Sequence, residues 1–396
     1  MTVLERFLKY VSFETTALKE RDDSCSNPLM LNLVDELVKE LLPLEPEEIS
    51  INKFGIIDCK FKGYGEKNSV AFLAHVDTSN QASGKDVKPS IIDYEGQDIK
   101  LSEGRILSIK EFPSLKNAIG HKIIVTDGTT LLGGDDKAGI AIIMTSLNKV
   151  LKEKNNRPLE IIFTTDEEIG ADADHVSLRL LSSPYGYTID GGDYRYISIE
   201  SFTAYSMEVN IQGRSIHPGS AKGKMVNAVS IFTEFHDSLP KFLRPEYTEQ
   251  RQPFYHICEV KGCEDTAHAS YIIRSFDEDE IEKMIELAKF TAMRINEREG
   301  YECIHLDIKN QYHNMKRVID KYPEIMQEVE KAYKESGLDY EYEMIRGGTT
   351  GSQLSFKGLP CPNLGTGDYN CHGQYEYVDL NEMEKMVEIV TKLMEK

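Results

Sequence analysis

Four short clusters of acids and imidazole lie along the chain: His75-Val76-Asp77, Asp135-Asp136-Lys137, Asp166-Glu167-Glu168 and Asp190-Gly191-Gly192. Each follows closely on an apolar or glycine-containing run: Ala71 to Ala74, Leu131 to Gly134, Ile161 to Thr164 and Tyr187 to Ile189. Singly, each cluster has an ordinary alternative. A His-x-Asp segment can be a hydrogen-bonded turn, an Asp-Glu-Glu run a solvated loop, and Asp-Asp before a helix an N-terminal cap. Together they are harder to dismiss. The carboxyl edge of an open α/β sheet is where ligands bind. Four clusters gathered there would crowd carboxylates, and like charges about 4 Å apart repel by about 4 kcal/mol at an effective dielectric near 20. Protonation or a cation must relieve that repulsion. Two divalent metal ions would do so. Histidine with carboxylates suits zinc, and cobalt or manganese can occupy such a donor set.

The elements that must position these clusters follow from the hydrophobic pattern. Val70 to Ala74, Ile123 to Val125 and Leu159 to Phe163 are compact apolar runs of the kind buried central strands show. Ala138 to Val150 reads as a helix, and alternation of this sort predicts an α/β sheet covered by helices. From about residue 205 the pattern changes. Tyr205, Met207, Val209 and Ile211 alternate with polar residues, as in a half-exposed strand. A helix is expected at Val226 to Leu239, strands at Phe254 to Val260 and Ser270 to Phe276, a long amphipathic helix through Ile281 to Ile295, and a strand at Ile304 to Ile308. The order β-α-β-β-α-β is that of a ferredoxin-like sandwich. Helices at Glu324 to Glu335 and around Met383 to Leu393 restore the α/β character. The expected architecture is a discontinuous α/β domain, residues 1–204 and 316–396, with a smaller α+β domain, 205–315, inserted in it.

The chain has 396 residues, which favours two domains over one core. No apolar run approaches the roughly 18 residues of a membrane span. Leu4, Phe7, Leu8 and Val11 recur at helical spacing, so the opening reads as an amphipathic surface helix rather than a secretory signal. The net charge of −20 repels nucleic acid phosphates and anionic lipid. Seven cysteines without a Cys-x-x-Cys pair fit scattered reduced thiols and a cytoplasmic location.

Longer strings carry a family resemblance. FLAHVDTSNQASGKDVKP, TDGTTLLGGDDKAGIA, FTTDEEIG, YTIDGGD, IHPGSAKGKMVNA, YIIRSFD, IRGGTTGSQLSFKGLPCPNL and YNCHGQYEYV follow one another between about residues 4 and 394. They resemble the peptidase T family, the tripeptide aminopeptidases of a dinuclear zinc clan that also holds aminoacylases, dipeptidases and glutamate carboxypeptidases. His-x-Asp and Asp-Glu-Glu recur across the clan, whereas DTSNQASGKDVKP and SIHPGSAKGKMVNA are specific to this branch.

The resemblance implies roles. His75 would ligate one zinc ion and His372 the other, Asp135 would bridge them, and Glu168 and Asp190 would each complete one shell. The bridging aspartate of the clan lies two residues before the lysine, which selects Asp135 over Asp136. Asp77 would accept a proton from His75 and orient it. Glu167 would be the general base, serving the water between the metals and then the leaving amine. His217, in the inserted lid domain, would stabilise the oxyanion. Arg274 and Arg346 would hold the peptide's terminal carboxylate, and Asn227 would contact substrate. Clan relatives often dimerise through the inserted domain, so a homodimer is the implied assembly.

One position departs from the pattern. The family usually reads Gly-Gly-Thr-Asp-Gly where this chain has Gly347-Gly348-Thr349-Thr350-Gly351, a neutral hydroxyl for an acid. The expected activity is release of the N-terminal residue from short peptides, tripeptides above all. The alternatives are a dipeptidase or N-acyl amino acid deacylase of the same clan, or a silent binding homologue. Glu167 weighs against silence, because a protein that only bound its ligand would have no need of a general base.

Overall fold

The computed structural model describes all residues except 20, 22, 178 and 180. The chain divides into two compact units: Met1–Ile199 with Arg317–Glu343 and Thr349–Lys396, and Glu200–Lys316 with Met344–Gly348. The sequence pattern placed the change at about 205 and 315; it gave no sign of the second excursion at 344.

The larger unit is built on an eight-stranded sheet. Its strands run, from one edge, Glu48–Ile51, Ile57–Phe61, Leu159–Thr164, Val70–His75, Gly186–Ile189, Asn363–Leu364, Tyr196–Ser201 and Glu341–Ile345. Val70–His75 lies parallel to both Leu159–Thr164 and Gly186–Ile189, and all three are buried along their full length. Parallel strands covered on both faces require such unbroken apolar runs, which is why the sequence shows them. The helix Gly134–Glu153 packs on Val70–His75 and is itself covered by the helices Val3–Tyr10 and Leu380–Met394. Val3, Phe7 and Tyr10 are buried in that contact, so the opening helix is anchored by its apolar face. Gly139 marks the closest approach: a Cβ there would stand 1.9 Å from the Ile189 carbonyl oxygen.

Ile123 to Val125 does not join this sheet. It lies in the strand Lys122–Val125, an inner strand of a second, antiparallel sheet with Ser90–Asp93, Tyr377–Asp379 and Asp368–Tyr369. An apolar run specifies burial and leaves the partner strands open.

The inserted unit carries a four-stranded antiparallel sheet in the order Phe254–Gly262, Thr266–Ser275, Thr203–Gln212, Ile304–Tyr312. The helices Ala228–Ser238 and Glu278–Glu299 pack on it, giving the β-α-β-β-α-β order read from the sequence. Met207, Val209, Tyr271, Ile273, Met284, Ile285 and Ala288 share its core. Asp277 caps the long helix by accepting from Glu280 N, and Gly300 closes it in the left-handed conformation at φ 76°.

Candidate metal centre

Three parallel strands deliver three of the clusters to one edge. His75 is the last residue of Val70–His75, Asp190 follows Gly186–Ile189, and Glu167 and Glu168 lie just beyond Leu159–Thr164. The fourth comes from elsewhere. Asp135 stands at the start of the helix Gly134–Glu153, and His372 on the loop between Asp368–Tyr369 and Tyr377–Asp379. The shared edge expected from sequence therefore supplies three clusters, while the start of the helix Gly134–Glu153 supplies Asp135 and a loop of the second sheet supplies His372.

These side chains converge. His75 Nε2 is 2.8 Å from Asp135 Oδ1, 3.9 Å from Asp190 Oδ1 and 4.0 Å from Glu167 Oε2. His372 Nε2 is 3.2 Å from Asp135 Oδ2 and 3.1 Å from Glu168 Oε2. One carboxylate thus has an imidazole on each oxygen, with Asp190 near one ring and Glu168 against the other. Asp136, its neighbour, faces the other way: its oxygens accept from the backbone N–H groups of His75 (3.2 Å) and Gly139 (3.2 Å).

Asp77 organises the acidic pair. Its two carboxylate oxygens accept from Glu167 N at 3.1 Å and Glu168 N at 3.0 Å. His75 Nδ1 instead meets the Asp77 backbone carbonyl at 3.0 Å, with the carboxylate at 3.6 Å. The carbonyl, rather than the expected carboxylate, fixes the ring, an arrangement common for ligating histidines. The turn that presents the pair is tight. Asp166 has φ 69° and accepts Ser26 N on Oδ2 at 2.8 Å. His372 is also left-handed, at φ 67°, an uncommon conformation for a residue with a Cβ.

A further acid, Glu376, was not singled out from the sequence. Its buried carboxylate accepts from four successive backbone N–H groups, those of Leu132, Gly133, Gly134 and Asp135. It clamps the loop bearing Asp135 to the segment bearing His372. The only available signal was its place four residues after His372.

The electrostatics call for positive charge. Burial raises the Glu167 carboxyl well above the usual range; His75 opposes this, and Asp190, Asp172 and Asp135 add to it. Burial and then Asp135 push Asp190 up to about 7. Asp135 and Glu168 push His372 up to about 11. Burial disfavours a charged His75 ring, yet Asp135 and Asp77 outweigh it and raise its pKa. Glu168 Oε1 is buried with no hydrogen-bond partner among the described residues. Two imidazoles and three carboxylates, one of them with an unsatisfied buried oxygen, form a donor set that fits divalent cations. Ligand atoms of His75, Asp135 and Glu168 lie within 4.8 Å of one another, as do those of His75, Asp136 and Asp190.

The other sequence candidates belong to the inserted unit and have local partners there. Exposed His217 accepts Gly219 N on Nδ1 at 3.1 Å. Asn227 caps the helix Ala228–Ser238 through Val229 N and Ser230 N. Arg274 donates to the Tyr205 and Ile273 carbonyls and to Gln311 Oε1. Arg346 donates to the Gln250 and Gln252 carbonyls and to Thr248 Oγ1, with its guanidinium over the Phe202 and Phe254 rings.

An α/β unit with an inserted α+β unit and an acid–imidazole cluster at its strand ends defines a metallo-hydrolase of the peptidase type. Residues 126–396 match the profile of peptidase family M20/M25/M40. Peptidase T of Caldanaerobacter subterraneus subsp. tengcongensis is 42% identical over 99% of this chain and 98% of its own length. Peptidase T of Clostridium acetobutylicum is 40% identical, over the same shares of the two chains. The crystal structure of aminopeptidase PepT from Bacillus cereus superposes with a TM-score of 0.76 at 20% identity, covering 99% of this chain and 97% of that one, which shows the common fold. The chain belongs to the M20/M25/M40 peptidases and, within them, to the peptidase T family. No helix among the described residues is long and apolar enough to cross a membrane.

Proposed function

We propose that the chain is a dinuclear zinc aminopeptidase that releases the N-terminal residue from tripeptides. The observation that carries this reading is the Asp135 carboxylate with His75 on one oxygen and His372 on the other. His75 and Asp190 would hold one ion, His372 and Glu168 the second, and Asp135 both. When bound, such ions supply Lewis acidity toward the scissile carbonyl and toward water.

The chain's own groups do the rest. Glu167 is assigned as general base. Its backbone is pinned through Asp77, and burial raises its carboxyl above the usual carboxylate range, which makes it a stronger base than an exposed glutamate. It takes a proton from the attacking water and returns it to the departing amine nitrogen as the C–N bond breaks. His217 is assigned to the tetrahedral oxyanion. Because its Nδ1 accepts Gly219 N–H, the neutral ring carries its proton on Nε2, where it can donate. Arg274 and Arg346 are assigned to the peptide's carboxylate, and Asn227 to substrate contact. The arginines' local hydrogen bonds pre-set the guanidinium planes and lower the entropy lost on binding. A guanidinium fork that takes the peptide's carboxylate would select for peptide length, and energy from that remote contact would position the scissile bond.

The test compares kcat/KM on one sequence presented as di-, tri- and tetrapeptide, free and N-acetylated, with metal content measured on the same preparation. Tripeptides with free termini should be cleaved fastest. Equal efficiency at all lengths, or preference for the acetylated forms, would replace this reading with a deacylase.

A further inference from the structure

Thr350 and Asp172 are 178 residues apart in sequence and joined in the interior. Thr350 opens the helix Thr350–Lys357, is 4% exposed, and donates its hydroxyl to Asp172 Oδ2. Asp172 opens the short helix Asp172–His175, only four residues beyond Glu168, and is fully buried. Its Oδ1 has no hydrogen-bond partner among the described residues. A buried carboxylate with one oxygen satisfied is costly and needs a reason.

The surroundings supply one. The Glu167–Glu168 turn is held on one side by the Asp77 carboxylate. On the other side the chain passes through Gly170 at φ 71° directly into Asp172, whose bond to Thr350 ties this segment to the helix Thr350–Lys357.

We propose that Asp172, acting through Thr350, is a positioning residue for the Glu167–Glu168 turn, and that the interior carboxylate of this pair is what holds the turn in place. The inference rests on the assignment of Glu167 as general base. It makes a specific claim: the charge is needed at this spot, and either residue can bear it. Asp172→Asn keeps the shape and removes the charge. Thr350→Asp alone sets two carboxylates against each other in a dry site. Asp172→Asn with Thr350→Asp moves the carboxylate across the same contact, with the amide as donor.

The experiment measures kcat, KM, zinc content and thermal stability for the full-length wild type, both single variants and the double variant. Asp172→Asn should keep its zinc and its KM while kcat falls about tenfold, the scale of a modest misplacement of a reacting group. Thr350→Asp should lose both stability and kcat. The double variant should recover kcat to within about threefold of wild type, a non-additivity that neighbouring residues in one network show. An unchanged kcat in Asp172→Asn, or a double variant no better than that single one, would overturn the inference. Should Asp172→Asn fail to fold, Thr350→Val and Thr350→Ser decide. Valine should lower kcat and serine restore it, and equal kcat for the two would equally overturn the proposal. A wild type inactive on every peptide would instead refute the proposed function, independently of the variants.

Discussion

Asp135 Oδ2 lies 3.2 Å from His372 Nε2 although 237 residues separate the two in sequence. The other oxygen of the same carboxylate is 2.8 Å from His75 Nε2. In the proposed dinuclear site, Asp135 is the point at which two half-sites meet.

Asp135→Asn should therefore disturb both half-sites at once. Wild type dialysed against zinc should hold two equivalents per chain, and Asp135→Asn fewer than one. Chelation of the wild type should abolish activity and lower the melting temperature, because ligands that bind only the folded state stabilise it by mass action. Two retained equivalents in Asp135→Asn, measured by elemental analysis, would refute the shared-ligand assignment.

Glu167 and Glu168 should separate by phenotype although they are adjacent. Glu167→Gln should keep near-normal zinc and lose turnover by about 10²-fold or more, the scale of a lost general acid–base group. Glu168→Gln should lose zinc, since Glu168 is the acid that meets His372. Reversal of the two phenotypes would exchange the roles.

Glu376→Gln tests the clamp. Glutamine presents an NH2 group where one carboxylate oxygen accepted backbone N–H bonds, so donors would face donors. The buried loop should lose about 3 kcal/mol of stability, the scale of buried groups left unpaired. Zinc affinity should fall with it, because the Asp135 amide is among the groups released. Denaturant unfolding at saturating and at limiting zinc measures both effects, and wild-type values in both would refute the clamp.

His217→Ala should lower kcat and leave KM nearly unchanged, as removal of an interaction made only in the transition state does. A raised KM with unchanged kcat would reassign His217 to ground-state binding.

Residue types and local periods settled much of this protein in advance. The unbroken apolar runs ending in His75, Asp166-Glu167-Glu168 and Asp190 read as buried parallel strands whose ends carry chemistry, because burial on both faces and a sharp polar stop are local properties. The β-α-β-β-α-β order of the inserted unit was legible for the same reason: periods of 2 and 3.6 are written among near neighbours. Residue types alone left open the choices between chemically equal residues; for Asp135 and Asp136 the family resemblance made the choice, and the tertiary structure supplies its physical reason. Asp135 and Asp136 are the same side chain, and only the start of the helix Gly134–Glu153 turns one toward two imidazoles and the other toward the amides of His75 and Gly139. The run Ile123 to Val125 announced a buried strand, but its neighbours in the second sheet come from distant residues. Glu376 and Asp172 looked like any other acids. Their partners lie 241 or more and 178 residues away, and no local pattern encodes a contact between segments that meet only when the chain has folded.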